Sequence, residues 1–423
     1  MNRFLQIFKI KDLRRKILIV AGLLVAFRLL AAIPIPGVDA ARLMAFFGTN
    51  QLFGFLNIFS GGGLSNLSVA MLGVGSYITA TIIMQLLTII FPKFKQLYYE
   101  EGARGQAKFN QYSRLLTVPL AALQSYGFLS LLIAQNVIDR PSSFGLMTNV
   151  LAITAGSMIT LWFGELISEQ KIGNGISLII LAGIVSGLPG DFQQAIISYT
   201  PSLLPTYIGF VATLIFLIAG VVYLNEGERK IPIAYARRVR GMKMYGGASS
   251  YLPLKVNQAG MIPLIFAMSV LLFPQFIAQV SSVISVDLAL KLNNLVNQLL
   301  SNQLFYGVLY FLLVFIFTYF YTAITFNPEE ISKNLQKSGG FIPGIRPGEA
   351  TAGFFSTLVK KVTFFGALFL GLIAILPLIV GVVTGVSVLN VSGTALLIVV
   401  AVALETMRQI NSQLTVREYE GIE

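Results

Sequence analysis

Apolar residues in this chain gather into long runs separated by shorter polar connections, the pattern of a polytopic membrane protein. Runs lie near Ile17 to Ile33, Ser76 to Phe91, Leu115 to Ile133, Val150 to Ile167 and Ile176 to Leu188. Others lie near Tyr207 to Leu224, Ala259 to Val280, Leu304 to Phe326, Val362 to Val383 and Gly393 to Met407. Most approach the roughly 20 residues that a spanning helix needs, which predicts about ten helices. Basic "KIKDLRRK" enters the first run with no small-residue cleavage motif before Pro34, so no cleavable signal is expected.

Ten spans divide as five plus five, and an odd number per half inverts the second half relative to the first. In such architectures, glycine- or proline-broken spans at matching places point to the working site. The second place of each half holds "GGG...LGVGS" and "NQAGMIP" (Asn257 to Pro263). The fifth place holds "GNGIS", followed early by Pro189, and polar "NVSGT". Spans two, five, seven and ten are therefore expected to line a central pathway, although close helix packing accounts for any one of these glycines equally well.

Composition agrees with a membrane class: 423 residues, 55% hydrophobic and 11% charged, with a mean hydropathy of +0.77. Lys and Arg number 30 against 18 Asp and Glu, a net charge of +12 that could suggest a nucleic acid. All but Arg28, Arg42, Arg140 and Lys291 fall on the side of the N-terminus, which the positive-inside rule makes cytoplasmic together with the C-terminus. The excess charge sets topology. Cysteine and histidine are absent, which closes the routes through disulfides, thiolates, imidazole bases and Cys/His zinc sites. No catalytic residue, metal site or cofactor is expected, and the chain does not read as an enzyme.

The pathway residues are apolar. An ion-coupled carrier holds charge near the midplane, yet Glu165 and Glu405 lie toward cytoplasmic ends and Arg28 alone lies deep in a span. Spans two, five, seven and ten offer Val74, Ile78, Ile176, Ile180, Ile265 and Ile398. Steps of four place Val74 with Ile78, and Ile176 with Ile180, on one helix face each. Faces of this kind, if they meet, form a constriction that gates by dewetting. Isoleucine in a membrane helix also faces lipid or a neighbouring helix, and periodicity alone leaves both readings open.

Two cytoplasmic loops are too long for simple hairpins, at residues 225–256 and 327–361. In the first, "IPIAYARRV" has a strand-like alternation and Arg237, Arg238, Arg240 and Lys243 form a dense basic cluster. In the second, Arg346 stands between Pro343 and Pro347 on a stiffened turn. Docking to an acidic or phosphate-rich partner is the functional reading. Topology-determining charge is the plainer one.

Several long motifs then match a known family in order: "IPIPGVD", "FSGGGLS", "IGNGISLIILAGIVSGLP", "LPLKVNQAGMIP", "FNPEEISKNLQKSGGFIPGIRPGE" and "GTALLIVV". Over nearly its whole length the chain resembles the SecY/Sec61-alpha family of protein-conducting channels. The resemblance implies an all-α membrane protein of ten transmembrane helices, in two inverted pseudo-symmetric five-helix halves around an hourglass pore. The halves would be residues 1–195 and 196–423. It implies a pore ring of Val74, Ile78, Ile176, Ile180, Ile265 and Ile398. It implies a short plug helix within about residues 60–72, made of Leu64, Ser65, Asn66, Leu67, Ser68, Val69, Ala70, Met71 and Leu72. A lateral gate would carry Thr79, Gln124 and Asn257, whose hydrogen bonds would hold it shut at about 1 kcal/mol each.

The same resemblance implies docking of the SecA motor ATPase and the ribosome on the two long loops, with Arg346 needed for translocation. It also implies SecE and SecG subunits, signal sequences, nascent polypeptides and membrane lipids as partners, in the bacterial cytoplasmic membrane. Where many relatives carry a proline after the plug, this chain has Ser76, so the joint is expected to rest on Gly73, Gly75 and Ser76 as an N-cap. The rival readings are a secondary transporter for small molecules and a pore-less insertase or scaffold.

Overall fold

The structure is a computed structural model that describes residues 10–36, 57, 60, 62–64, 66–99, 101–135, 137–197, 201, 204–235, 238–240, 243–245, 249–260, 262–281, 285–384 and 388–420. In chain order its N-terminal part contains α1 (Lys11–Ala32), α2 (Gly75–Ile90), α3 (Pro92–Tyr99), α4 (Gly102–Ala134), α5 (Ser143–Glu169) and α6 (Gly175–Ile197). After α7 (Leu204–Glu226) come the strands β1 (Glu228–Tyr235), β2 (Arg238–Arg240), β3 (Lys243–Tyr245) and β4 (Ser249–Lys255). The remainder is α8 (Ile262–Val280), α9 (Val286–Ser301), α10 (Gln303–Thr325), α11 (Pro328–Lys337), β5 (Gly340–Phe341), α12 (Glu349–Thr384) and α13 (Val388–Glu420).

Each apolar run falls on a helix, and several helices outrun it. Among the described residues, five helical stretches are long and apolar enough to cross a membrane: Gly102–Ala134, Ser143–Glu169, Tyr207–Glu226, Gln303–Lys337 (α10 running on into α11) and Glu349–Val380. The α2–α3 pair adds a sixth if its 111° bend lies within one broken span. That bend falls at Phe91–Pro92, because proline cannot donate the next helical bond and starts a new helix instead. Polar α3 then folds back on α4, where a side chain at Gly105 would overlap the Leu97 carbonyl.

Alternation in "IPIAY" does produce a strand. β1 pairs antiparallel with β4, placing Ile231 opposite Leu252 and Ile233 opposite Ser250, and its other edge takes β5. Ile231 and Leu254 close on Ile342, Phe355 and Leu358, so the two long loops share one small apolar core. α3, α9 and α11 went unpredicted. Each carries too many polar residues to read as a span.

The largest core joins α1, α2, α5, α6, α7, α8, α9, α10, α12 and α13. Association between helices in lipid relies on close van der Waals contact rather than on expulsion of water. Backbone approach is accordingly tight at Gly175, where a Cβ would overlap the Gly164 carbonyl, and the Ser168 hydroxyl bridges these two residues. Asn174 caps α6, its Oδ1 accepting from the Ile176 amide at 3.1 Å and the Ser177 amide at 3.3 Å.

Candidate functional site

Four helices carry the apolar candidates into the central cluster. Val74 precedes α2 as its N-cap residue and Ile78 lies one turn in; Ile180 comes from α6, Ile265 from α8 and Ile398 from α13. All five are buried, none more than 7% exposed, and all belong to the central cluster, with Ile176 partly buried against it. Aliphatic side chains offer no hydrogen-bond partner to water or ions. A narrow passage lined by them excludes both by dewetting.

The segment before α2 departs from the expected plug helix. Residues 66, 67 and 69–74 form consecutive turns, with Leu67 donating to Leu64 O, Met71 to Ser68 O, Gly73 to Ala70 O and Gly75 to Leu72 O. A helix is prevented at both ends of the stretch: Leu67 has φ +41° and Gly73 has φ +51°, in the left-handed region. Between them Ser68 forms a β-bridge with Pro34, and Ile35 and Val69 donate to Leu67 O and Ile33 O across it. Ser65 lies outside the described residues.

Side chains of this segment point two ways. Leu64, Leu67 and Met71 join Phe128, Leu132 and Ile153 of α4 and α5, whereas Ala70 and Val74 join the central cluster. Ser157 of α5 donates to Gly73 O at 3.0 Å, and a Cβ at Gly156 would overlap the Val69 carbonyl. The segment is therefore held by specific backbone contacts. Gly62, at φ +80°, leaves room for the Arg28 guanidinium beside it.

The joint and the gate residues also differ from expectation. Ser76 does not cap α2, because the helix already begins at Gly75 and Val74 makes no side-chain cap. Its hydroxyl instead crosses to α4 and donates to Gln124 Oε1 at 2.7 Å, both side chains being buried. Thr79 donates back to Gly75 O within its own helix at 3.0 Å. Asn257 donates to Asn225 Oδ1 and to Gly260 O, each at 2.9 Å. Among the described residues Thr79, Gln124 and Asn257 thus make no hydrogen bond to one another. Short polar side chains bond first to the nearest backbone or neighbouring helix, and Asn257 Oδ1 is left buried without a partner among the described residues.

Beside them, α8 packs against α2 and α4 across a crevice of ≈ 330 Å³. Thr79, Ile83, Leu120, Gln124, Phe273 and Ile277 are among its lining residues.

Asn225 belongs to a polar junction that sequence reasoning did not anticipate. Arg408 of α13 donates to Glu226 Oε1 through Nε at 3.0 Å and Nη2 at 2.8 Å, and also to the Asn225 carbonyl. Val256 donates to Gly227 O at 2.8 Å beside the Asn225–Asn257 pair, closing the base of the β1–β4 hairpin. Arg114 of α4 similarly pairs with Glu165 of α5. The one available signal was that both acids lie near helix ends on the basic side.

On the loops, Arg238 and Arg240 lie on β2 and Lys243 on β3, with Arg240 directly opposite Lys243; their side chains, and Arg237 entirely, lie outside the described residues. Arg346 is exposed on a turn framed by Gly344 (φ +84°) and Gly348 (φ +101°). Buried Thr351 donates to Arg346 O at 2.8 Å and buried Ser332 to Gly348 O at 2.7 Å. The turn is braced from both sides. Among the described residues no group of three acids is placed to hold a metal ion.

Comparison with known proteins gives a consistent result. The family model for SecY matches residues 68–407. The protein translocase subunit SecY of Corynebacterium glutamicum is 41% identical over 443 residues, covering all of both chains. That of Mycobacterium tuberculosis is 41% identical over 450 residues, covering 100% of this chain and 99% of the relative. A solved protein-conducting channel superposes with a TM-score of 0.66 at 19% identity, covering 93% of this chain and 91% of the other. Sec61 in a canine ribosome-channel complex gives 0.64 at 18% identity with the same coverage. At such identities the solved structures establish a common fold.

Proposed function

The chain belongs to the SecY family, and from that premise we propose that it is a channel for unfolded secretory polypeptides across the cytoplasmic membrane of a bacterium, releasing membrane-protein helices sideways into lipid. It is a translocase subunit and not an enzyme; work comes from partners. One observation supports the reading most directly: Val74, Ile78, Ile180, Ile265 and Ile398, drawn from four helices, all belong to the one large buried hydrophobic cluster, with Ile176 packed against it. Family identity favours this channel over a small-molecule transporter and over a pore-less insertase.

The finer architecture follows from the same premise. Ten spans divide into inverted halves at residues 1–195 and 196–423, with both termini cytoplasmic and the six ring residues at the waist. Residues Leu64 to Leu72 serve as the plug, as a turn-built segment rather than a helix. The seam of α2 and α4 against α8 is the lateral gate, with Thr79, Gln124 and Asn257 along it. Apolar Ile83, Leu120, Phe273 and Ile277 line its crevice, a surface suited to a hydrophobic signal helix.

Arg237, Arg238, Arg240, Lys243 and Arg346 then form the docking face for SecA and the ribosome, while SecE and SecG complete the channel. Crosslinking from photoreactive residues at Ile180 and Ile265 to a stalled secretory chain tests the pathway. Adducts from both positions are expected. Adducts from neither would contradict it.

A further inference from the structure

The helix α9 joins two apolar helices at the membrane face opposite the β1–β4 hairpin, because α8 separates the two. It is amphipathic in an unusual way, with three faces instead of two. Ala289, Asn293 and Leu300 are buried, forming a seat where α9 packs against α4, α8 and α10. Leu288, Leu295 and Leu299 are 47%, 55% and 49% exposed, and steps of seven and four align them on one ridge. Asp287, Lys291, Asn294 and Gln298 are exposed along the ridge's other flank. Three aligned, half-exposed leucines on one short helix need a cover.

We propose that this ridge sits in the phospholipid bilayer at the boundary between headgroups and acyl chains, making α9 a membrane-surface strap across the seam of α4 and α8. Continuity supplies the occupant. The last turns of α8 expose Phe273 and Ile277, and the first turns of α10 expose Leu304, Phe305 and Val308, so both flanking helices present apolar surface at the level where α9 lies. A leucine ridge beside a wholly polar flank matches the amphipathy of interfacial helices, here without the Lys/Arg excess that many of them carry. The single acid and single base of the polar flank, Asp287 and Lys291, leave no net charge to steer an acidic or basic protein partner. The inference rests on α8 and α10 entering the membrane and is independent of the channel reading.

The absence of cysteine makes the test direct, since single cysteines can be placed at will. Leu288→Cys, Leu295→Cys and Leu299→Cys report the ridge, and Asn294→Cys and Gln298→Cys the polar flank; all five leave the buried seat intact. Each is labelled with an environment-sensitive fluorophore in the full chain with its partner subunits, reconstituted in phosphatidylcholine vesicles. Ridge labels are expected to shift to the blue and to be quenched more by nitroxide-bearing lipid than by aqueous iodide, with flank labels showing the opposite order. Ridge labels quenched by iodide as strongly as the flank would overturn the proposal. So would ridge labels shielded from both quenchers, which would mean that a protein subunit covers them.

Discussion

Ser76 Oγ donates to Gln124 Oε1 at 2.7 Å, linking the first turn of α2 to the middle of α4 across 48 residues of chain. Both side chains are almost wholly buried. Ser76 therefore ties the start of α2 to α4 instead of capping the helix. Ser76→Ala leaves the Gln124 oxygen without its donor, at a cost of about 1 kcal/mol. A slightly lower midpoint of thermal unfolding in detergent and easier export of precursors with weak signal sequences are expected. An unchanged export profile would separate this bond from the gate.

Gly156 offers a test of the turn-built segment. Its missing Cβ admits the Val69 carbonyl, so Gly156→Val forces α5 and the segment apart at a cost of about 1 to 3 kcal/mol. On the cysteine-free background, Val69→Cys should be labelled faster by a water-soluble maleimide when Gly156→Val is added. Equal rates in the two backgrounds would mean that the segment does not seat on α5.

Arg408 predicts a local effect without a global one. Its bonds to Glu226 and the Asn225 carbonyl are partly exposed, so Arg408→Gln should lower overall stability by less than about 1 kcal/mol. The base of the hairpin should nevertheless loosen. Hydrogen exchange at Glu228–Tyr235 is expected to accelerate while exchange in α5 stays unchanged; uniform acceleration would indicate general destabilisation instead.

Legibility in the sequence followed the range of the interactions. The helices and the strand over "IPIAY" were visible because hydropathy and alternation are local. Val74 with Ile78, and Ile176 with Ile180, were visible as steps of four along single helices, though joining them with Ile265 and Ile398 in one ring rests on the family resemblance. The turns before α2 were not, since left-handed backbone at Leu67 and a bridge to Pro34 depend on contacts more than 30 residues apart. Partners of Ser76 and Asn257 were hidden for the same reason: a serine or asparagine carries several possible bonds, and only packing selects one. α9 escaped notice because its polar flank masks its leucine ridge in any hydropathy average.

In the proposed channel, Ile78, Ile180, Ile265 and Ile398 form the constriction that keeps the resting pore tight to ions. Planar-bilayer conductance of the reconstituted complex with all four residues changed to serine tests it most directly. A large rise in resting ion current is expected, because hydroxyls at the waist let water fill the passage. Resting current indistinguishable from that of the unaltered protein would contradict the account.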